Sequence, residues 1–142
     1  MRVRGLGMKK IVFVCVENAC RSQMAQGFAE AFRKGELEVY SAGSRPSSHI
    51  NPLAIEVMKE KGIDLSGGRP RGLKDLPPVE MDYLVTMGCE ETCPAVSTKK
   101  IIEWQIPDPK GKSLDVFRNV RDTIEEKVRS LLEEIDRDYM MT

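Results

Sequence analysis

One histidine, no excess of charge of either sign and no long apolar run mark this sequence, and each shortage removes a class of function. His49 lies in a Ser/Pro-rich stretch with no sequence link to any cysteine, so a cysteine nucleophile here has to be activated without a histidine base. Lys plus Arg and Asp plus Glu are both 22, giving zero formal net charge. That balance offers no footprint for nucleic acid or an anionic membrane, though it leaves room for a small anion held by local donors. The longest apolar stretch, Ile11 to Val16, is too short for a membrane span or for the hydrophobic region of a signal peptide. A cytoplasmic protein with no nucleic-acid and no membrane partner is expected.

What is present suits one domain over residues 8–142, long enough to bury roughly 68–70% of its unfolded surface. Residues 1–7 show no pattern and precede a second methionine, Met8, so they read as a flexible extension or an upstream start. Four cysteines stand at positions 15, 20, 89 and 93. In a reducing compartment such thiols point to catalysis, redox chemistry or metal rather than structural disulfides. A four-thiolate zinc site is one alternative. Against it, Cys15 and Cys20 flank a strand-to-helix junction beside an arginine, whereas a zinc knuckle has two intervening residues; no metal is expected.

Lys9 to Val14 reads as a buried strand, because an apolar run without alternation suits a sheet covered on both faces. A helix from about Ser22 to Lys34 follows, with Met24, Ala25, Phe28, Ala29 and Phe32 at helical spacing and Gly35 as its stop. Leu37–Ser41 is a short strand; Asn51 and Pro52 open a second helix that stops at Gly62. Met81–Met87 and Lys100–Gln105 are further strands, and Ser113 caps a long helix with Phe117, Val120, Ile124, Val128, Leu131 and Ile135 on one face. Alternating strands and helices predict a three-layer α/β fold, a four-stranded parallel sheet with helices on both faces. In such a sheet, ligands bind at the carboxyl ends of the strands, and Cys15, Ser41, Cys89 and Asp108 all follow strands.

The stretch Cys15-Val16-Glu17-Asn18-Ala19-Cys20-Arg21-Ser22 joins the first strand directly to the first helix. A chain turning so abruptly aims several backbone N–H groups into one concavity, with the positive end of the helix dipole behind them. That is a cradle for a tetrahedral, phosphate-like oxyanion. Cys15 on the strand side supplies a nucleophile and Arg21 on the helix side a bidentate guanidinium, an arrangement that favours the thiolate.

Cysteine, five residues, arginine and serine after a strand resembles the low-molecular-weight protein tyrosine phosphatase superfamily, which also contains the thioredoxin-coupled arsenate reductases. The resemblance implies that Asn18 steadies the loop, that Ser22 donates a hydrogen bond to the Cys15 thiolate, and that Asp108, in Asp108-Pro109, protonates the departing oxygen. It implies no bound cofactor, an external thiol reductant such as thioredoxin, and a relay in which Cys89 resolves the modified Cys15 and Cys93, followed by Pro94, takes over the disulfide. Two departures stand out. Only three residues separate Cys89 from Cys93, and Cβ atoms at that helical spacing lie about 5–6 Å apart where a disulfide needs about 3.8 Å, so oxidation requires local unwinding. Lys110-Gly111-Lys112-Ser113 follows Asp108-Pro109, where phosphotyrosine phosphatases place aromatic residues. Two alternatives stay open: a low-molecular-weight phosphatase that hydrolyses phosphomonoesters with the same Cys15, Arg21 and Asp108, and a non-enzymatic oxyanion-binding or redox-sensing module.

Overall fold

The computed structural model describes residues 8–88 and 96–140. Strand β1 (Lys9–Cys15) leads into α1 (Arg21–Phe32), followed by β2 (Leu37–Gly43), α2 (Pro52–Lys59), a 3₁₀ turn (Leu73–Asp75), β3 (Met81–Met87), β4 (Thr98–Trp104) and α3 (Leu114–Met140). The four strands form one parallel sheet in the order β2-β1-β3-β4. The apolar run explains the central place of β1: Ile11, Val12, Phe13 and Val14 are all fully buried. Each contributes about 1.5–3 kcal/mol relative to an exposed side chain.

Alternation along the strands then sorts the core into two layers. Ile11, Phe13, Cys15, Tyr83, Val85 and Met87 face one way, onto buried residues from all three α-helices. Val12, Val14 and Leu84 face the other way, under Leu73 and Leu76 at the 3₁₀ turn and under Val96. The three-layer fold is therefore lopsided, with one thick helical layer and one thin one. Helix α2 joins the thick side because Gly27 of α1 leaves room: a Cβ there would meet Leu65, Ile63 and Met58 at 3.1–3.3 Å.

Boundaries shift by a few residues where tertiary bonds intervene. Strand β2 runs past the expected end at Ser41 to Gly43, whose N–H donates to the Arg71 carbonyl and which bridges to Gly72. Helix α2 ends at Lys59, and Gly62 (φ 77) accommodates the reversal that returns the Ile63 N–H to the Met58 carbonyl. Strand β4 begins at Thr98 and ends at Trp104, displaced toward its start from the expected Lys100–Gln105. The caps read from sequence are present: Asn51 Oδ1 accepts from the Leu53 N–H, and Ser113 Oγ accepts from the Val116 N–H. Among the described residues no helix is long and apolar enough to cross a membrane.

The carboxyl end of α2 is clasped to α3 by charge. Arg121 Nη1 donates to the Val57 carbonyl and to Glu60 Oε1, while Arg118 holds the other Glu60 oxygen at 2.8 Å. These hydrogen bonds, from Arg118 first and then Arg121, hold the Glu60 carboxyl at about 2, below its ordinary value of 4.5. Because the folded value is depressed, this stabilisation is fully present above pH 4.5 and is lost as pH falls toward 2. Replacing Glu60 with Gln should lower the melting temperature at pH 7. The gap between parent and variant should narrow steadily in melts between pH 4.5 and pH 2.5; a gap independent of pH would contradict the clasp.

Candidate active site

The loop between Cys15 and Arg21 is shaped by what its carbonyls bind. Arg45 N–H donates to the Val16 carbonyl at 2.8 Å, Ser47 N–H to that of Glu17 at 3.0 Å, and Asn51 N–H to that of Ala19 at 3.0 Å. In a trans peptide the C=O of one residue and the N–H of the next point in opposite directions, and no peptide among the described residues is cis. Three carbonyls drawn outward thus turn the N–H groups of Glu17, Asn18 and Cys20 inward. The first intrahelical bond runs from Met24 N–H to the Cys20 carbonyl, so the amides of Arg21, Ser22 and Gln23 precede the helical ladder and remain as donors at its positive end. The approach is close: a Cβ on Gly43 would meet the Val16 carbonyl oxygen at 2.5 Å and the Asn18 nitrogen at 2.9 Å.

Asn18 is the hub. Its backbone is left-handed (φ 52), a conformation asparagine tolerates better than most residues, and its side chain is fully buried. Its Oδ1 accepts from the Arg71 N–H at 2.8 Å and from Gln23 Nε2 at 3.0 Å. A backbone N–H can only donate, so this contact fixes which amide atom is the oxygen. Nδ2 then donates to Ser22 Oγ at 2.6 Å, leaving the hydroxyl proton for Cys15 Sγ, 2.9 Å away. Asn18 is thus at once a turn residue and a brace, and Ser22 reaches the sulfur without capping the helix. Gln23 and the Arg69–Arg71 segment were not legible as parts of this network.

Arg21 is almost wholly buried, lying across the strand ends. Nη1 donates to the Ile106 carbonyl at 3.0 Å and Nη2 lies 3.6 Å from Asp108 Oδ2. Gly88, directly after β3, presses on the guanidinium: its φ is 75, and a Cβ there would collide with Nη1. Asp108 itself stands half-exposed at the rim, with Oδ1 accepting from the Lys110 N–H at 3.0 Å. A carboxyl group at the mouth, facing a buried sulfur across inward amides and a guanidinium, is an arrangement for group transfer at a tetrahedral anion.

The other candidates divide. Cys20 is a buried thiol pushed up to about 12, chiefly by burial and then by the charges of Asp108 and Cys15. Ser41 lies buried at the same sheet edge but donates to Gln26 Oε1 and takes no part in the cradle. His49 is exposed, its ring paired with Ser48. Cys89 and Cys93 lie outside the described residues. Among the described residues no cluster of three or more His, Cys, Asp or Glu side chains is placed to hold a metal ion.

The family model for low molecular weight phosphotyrosine protein phosphatases matches residues 10–141. The glutaredoxin arsenate reductase of Synechocystis is 42% identical over 131 residues, spanning 90% of this chain and 99% of the relative. A solved arsenate reductase in a phosphate-binding state superposes with a TM-score of 0.83 at 40% identity, covering 90% of this chain and 99% of that one. The thioredoxin-dependent arsenate reductase of Corynebacterium glutamicum gives 0.76 at 29% identity, with 92% of this chain and 63% of that one covered.

Two predictions follow from the geometry. Gly88→Ala should leave a folded protein that is destabilised by about 1–2 kcal/mol and binds inorganic phosphate at least about tenfold more weakly by calorimetry, since the methyl group displaces Arg21. Undiminished affinity would mean that the guanidinium does not hold the anion. Cys20, protonated throughout the neutral range, should escape iodoacetamide in the folded protein at pH 7–9; its prompt labelling, read by peptide mass spectrometry, would contradict its burial.

Proposed function

Given that the chain belongs to the low molecular weight phosphotyrosine protein phosphatase family, we propose that it reduces arsenate to arsenite with Cys15 as nucleophile. One observation carries the chemistry: Cys15 Sγ sits in a cradle whose amides are turned inward, with Ser22 on the sulfur and Arg21 spanning to Asp108. The relatives' names carry the choice of substrate. Lys110 after Asp108-Pro109 fits it, because an inorganic oxyanion needs no aromatic slot.

In the first step the Cys15 thiolate forms a bond to arsenic while Asp108 delivers a proton to the departing oxygen, which leaves as water. The amides of the loop and Arg21 hold the remaining oxygens. Cys89 then attacks Cys15 Sγ. The sulfur–arsenic bond breaks with its electron pair passing to arsenic, arsenate becomes arsenite, and a Cys15–Cys89 disulfide remains. Cys93 attacks Cys89 in turn, freeing Cys15 and leaving a Cys89–Cys93 disulfide for an external dithiol protein. In the sequence Cys89 directly follows Gly88, the residue that packs on the Arg21 guanidinium. The names of two relatives carry different reductants, glutaredoxin and thioredoxin, and either is a dithiol suited to the last step.

Arsenite release should be followed with thioredoxin and with glutaredoxin, each with its regenerating system, beside hydrolysis of an aryl phosphate. Cys15→Ser should abolish both activities, since an alcohol without a base is a poor nucleophile. Cys89→Ser should stop arsenite release and leave phosphate ester hydrolysis, which needs only water, largely intact. Cys93→Ser should release one arsenite per chain and stall as the Cys15–Cys89 disulfide, identifiable by peptide mass spectrometry. Multiple turnovers by both Cys89→Ser and Cys93→Ser would leave the phosphatase reading as the better one. Absence of either reaction in the parent would leave an oxyanion-binding or redox-sensing module.

A further inference from the structure

Lys110 links the two lips of the site. Its backbone N–H holds Asp108 Oδ1, while its side chain crosses to the cysteine-bearing loop, where Nζ lies 2.8 Å from Glu17 Oε2. The two residues are 93 apart in sequence, and the ion pair raises the Lys110 ammonium above its ordinary range. Glu17 belongs to the cradle loop and Lys110 to the segment that carries Asp108, so their ion pair, exposed to solvent, joins the two lips. On the inner side the same two loops are joined by Arg21, which binds the Ile106 carbonyl and Asp108. The opening is thus bounded by Arg21 within and by the Glu17–Lys110 pair without.

In-line displacement sets what has to pass this opening. Sulfur attacks from below, so the departing oxygen lies on the far side of the central atom, toward Asp108. Anything bonded to that oxygen extends outward past Asp108 into the space Lys110 crosses on its way to Glu17. An inorganic oxyanion carries only a proton there, whereas an ester carries its whole organic group. We propose that the Glu17–Lys110 ion pair is a specificity bar that admits inorganic tetrahedral oxyanions and disfavours those with an organic substituent on the departing side. The proposal rests on Cys15 and Asp108 acting as nucleophile and acid. Its measure is discrimination between two ligands, which a merely structural role would not move.

Calorimetry with inorganic phosphate and with phenylphosphonate tests it through the ratio of their dissociation constants. Lys110→Met keeps the backbone N–H on Asp108 and removes the bar. The preference for phosphate should fall by about fivefold, the top of the range for an exposed ion pair. The exchanged pair, Glu17→Lys with Lys110→Glu, should recover it. Raising salt should erode the preference in the parent and leave it flat in Lys110→Met, because exposed pairs are screened. A ratio unchanged in Lys110→Met, or equal loss of both ligands, overturns the bar, as does failure of phosphate to bind the parent or of phenylphosphonate to bind Lys110→Met; phenylphosphonate that binds only once Lys110 is replaced upholds it. Arsenite release is measured separately on the same proteins: a shifted ratio in a chain that releases no arsenite upholds the bar and sinks only the arsenate assignment.

Discussion

Everything at the active end of this molecule depends on three hydrogen bonds that pull carbonyls away from it. The N–H groups of Arg45, Ser47 and Asn51 take the carbonyls of Val16, Glu17 and Ala19, and peptide planarity does the rest by turning the following amides toward a common centre. The donors all come from the segment after β2. That segment therefore acts as an outer wall for the loop, and Gly43, which ends β2 just before it, lies too close to Val16 and Asn18 for any side chain. Asn51 has a double task, bonding Ala19 through its backbone and capping α2 through its side chain. The start of α2 is thereby tied to the shape of the anion site.

A second layer of constraint comes from the hub at Asn18. Its oxygen takes donors from Gln23 and Arg71 and its nitrogen passes the orientation on to Ser22 and so to the sulfur, with the side chains of Asn18, Ser22, Gln23 and Cys15 all buried. In such surroundings a lost partner costs about 1–3 kcal/mol and leaves the remaining groups misdirected. Arg21 makes the complementary link on the other side, binding the acid loop through Ile106 and Asp108 while facing the cradle. Cys15 and Asp108, the proposed nucleophile and acid, are consequently positioned by one continuous set of contacts. Cys20, in the same loop, is a thiol pushed up to about 12, chiefly by burial.

Period and punctuation made much of this legible. The unbroken apolar run of β1 identified a strand buried on both faces, the spacing of Phe117, Val120, Ile124, Val128, Leu131 and Ile135 identified the buried face of α3, and Cys15 to Ser22 identified the loop that joins β1 to α1. What the sequence did not carry was distance between remote segments. The contact of Gly88 with Arg21, the bond from Arg71 to Asn18 and the bridge from Lys110 to Glu17 join residues 53 to 93 positions apart, or cross between strand ends, and leave no periodic trace. A glycine straight after β3 was the one available hint. The unequal outer layers were hidden for a similar reason: the small face of Gly27, which draws α2 onto α1, reads as an ordinary helix position until Met58, Ile63 and Leu65 are packed on it.

The most direct test of the inward-facing cradle is a ¹⁵N–¹H correlation spectrum of the reduced protein titrated with inorganic phosphate. Hydrogen bonds to an anion should shift the amide resonances of Glu17, Asn18, Cys20, Arg21 and Ser22 strongly downfield along one shared saturation curve, together with the guanidinium signal of Arg21, while Arg45, Ser47 and Asn51, already committed to the loop carbonyls, move little. Saturable shifts centred elsewhere, or a loop whose amides do not respond to phosphate at all, would contradict the account.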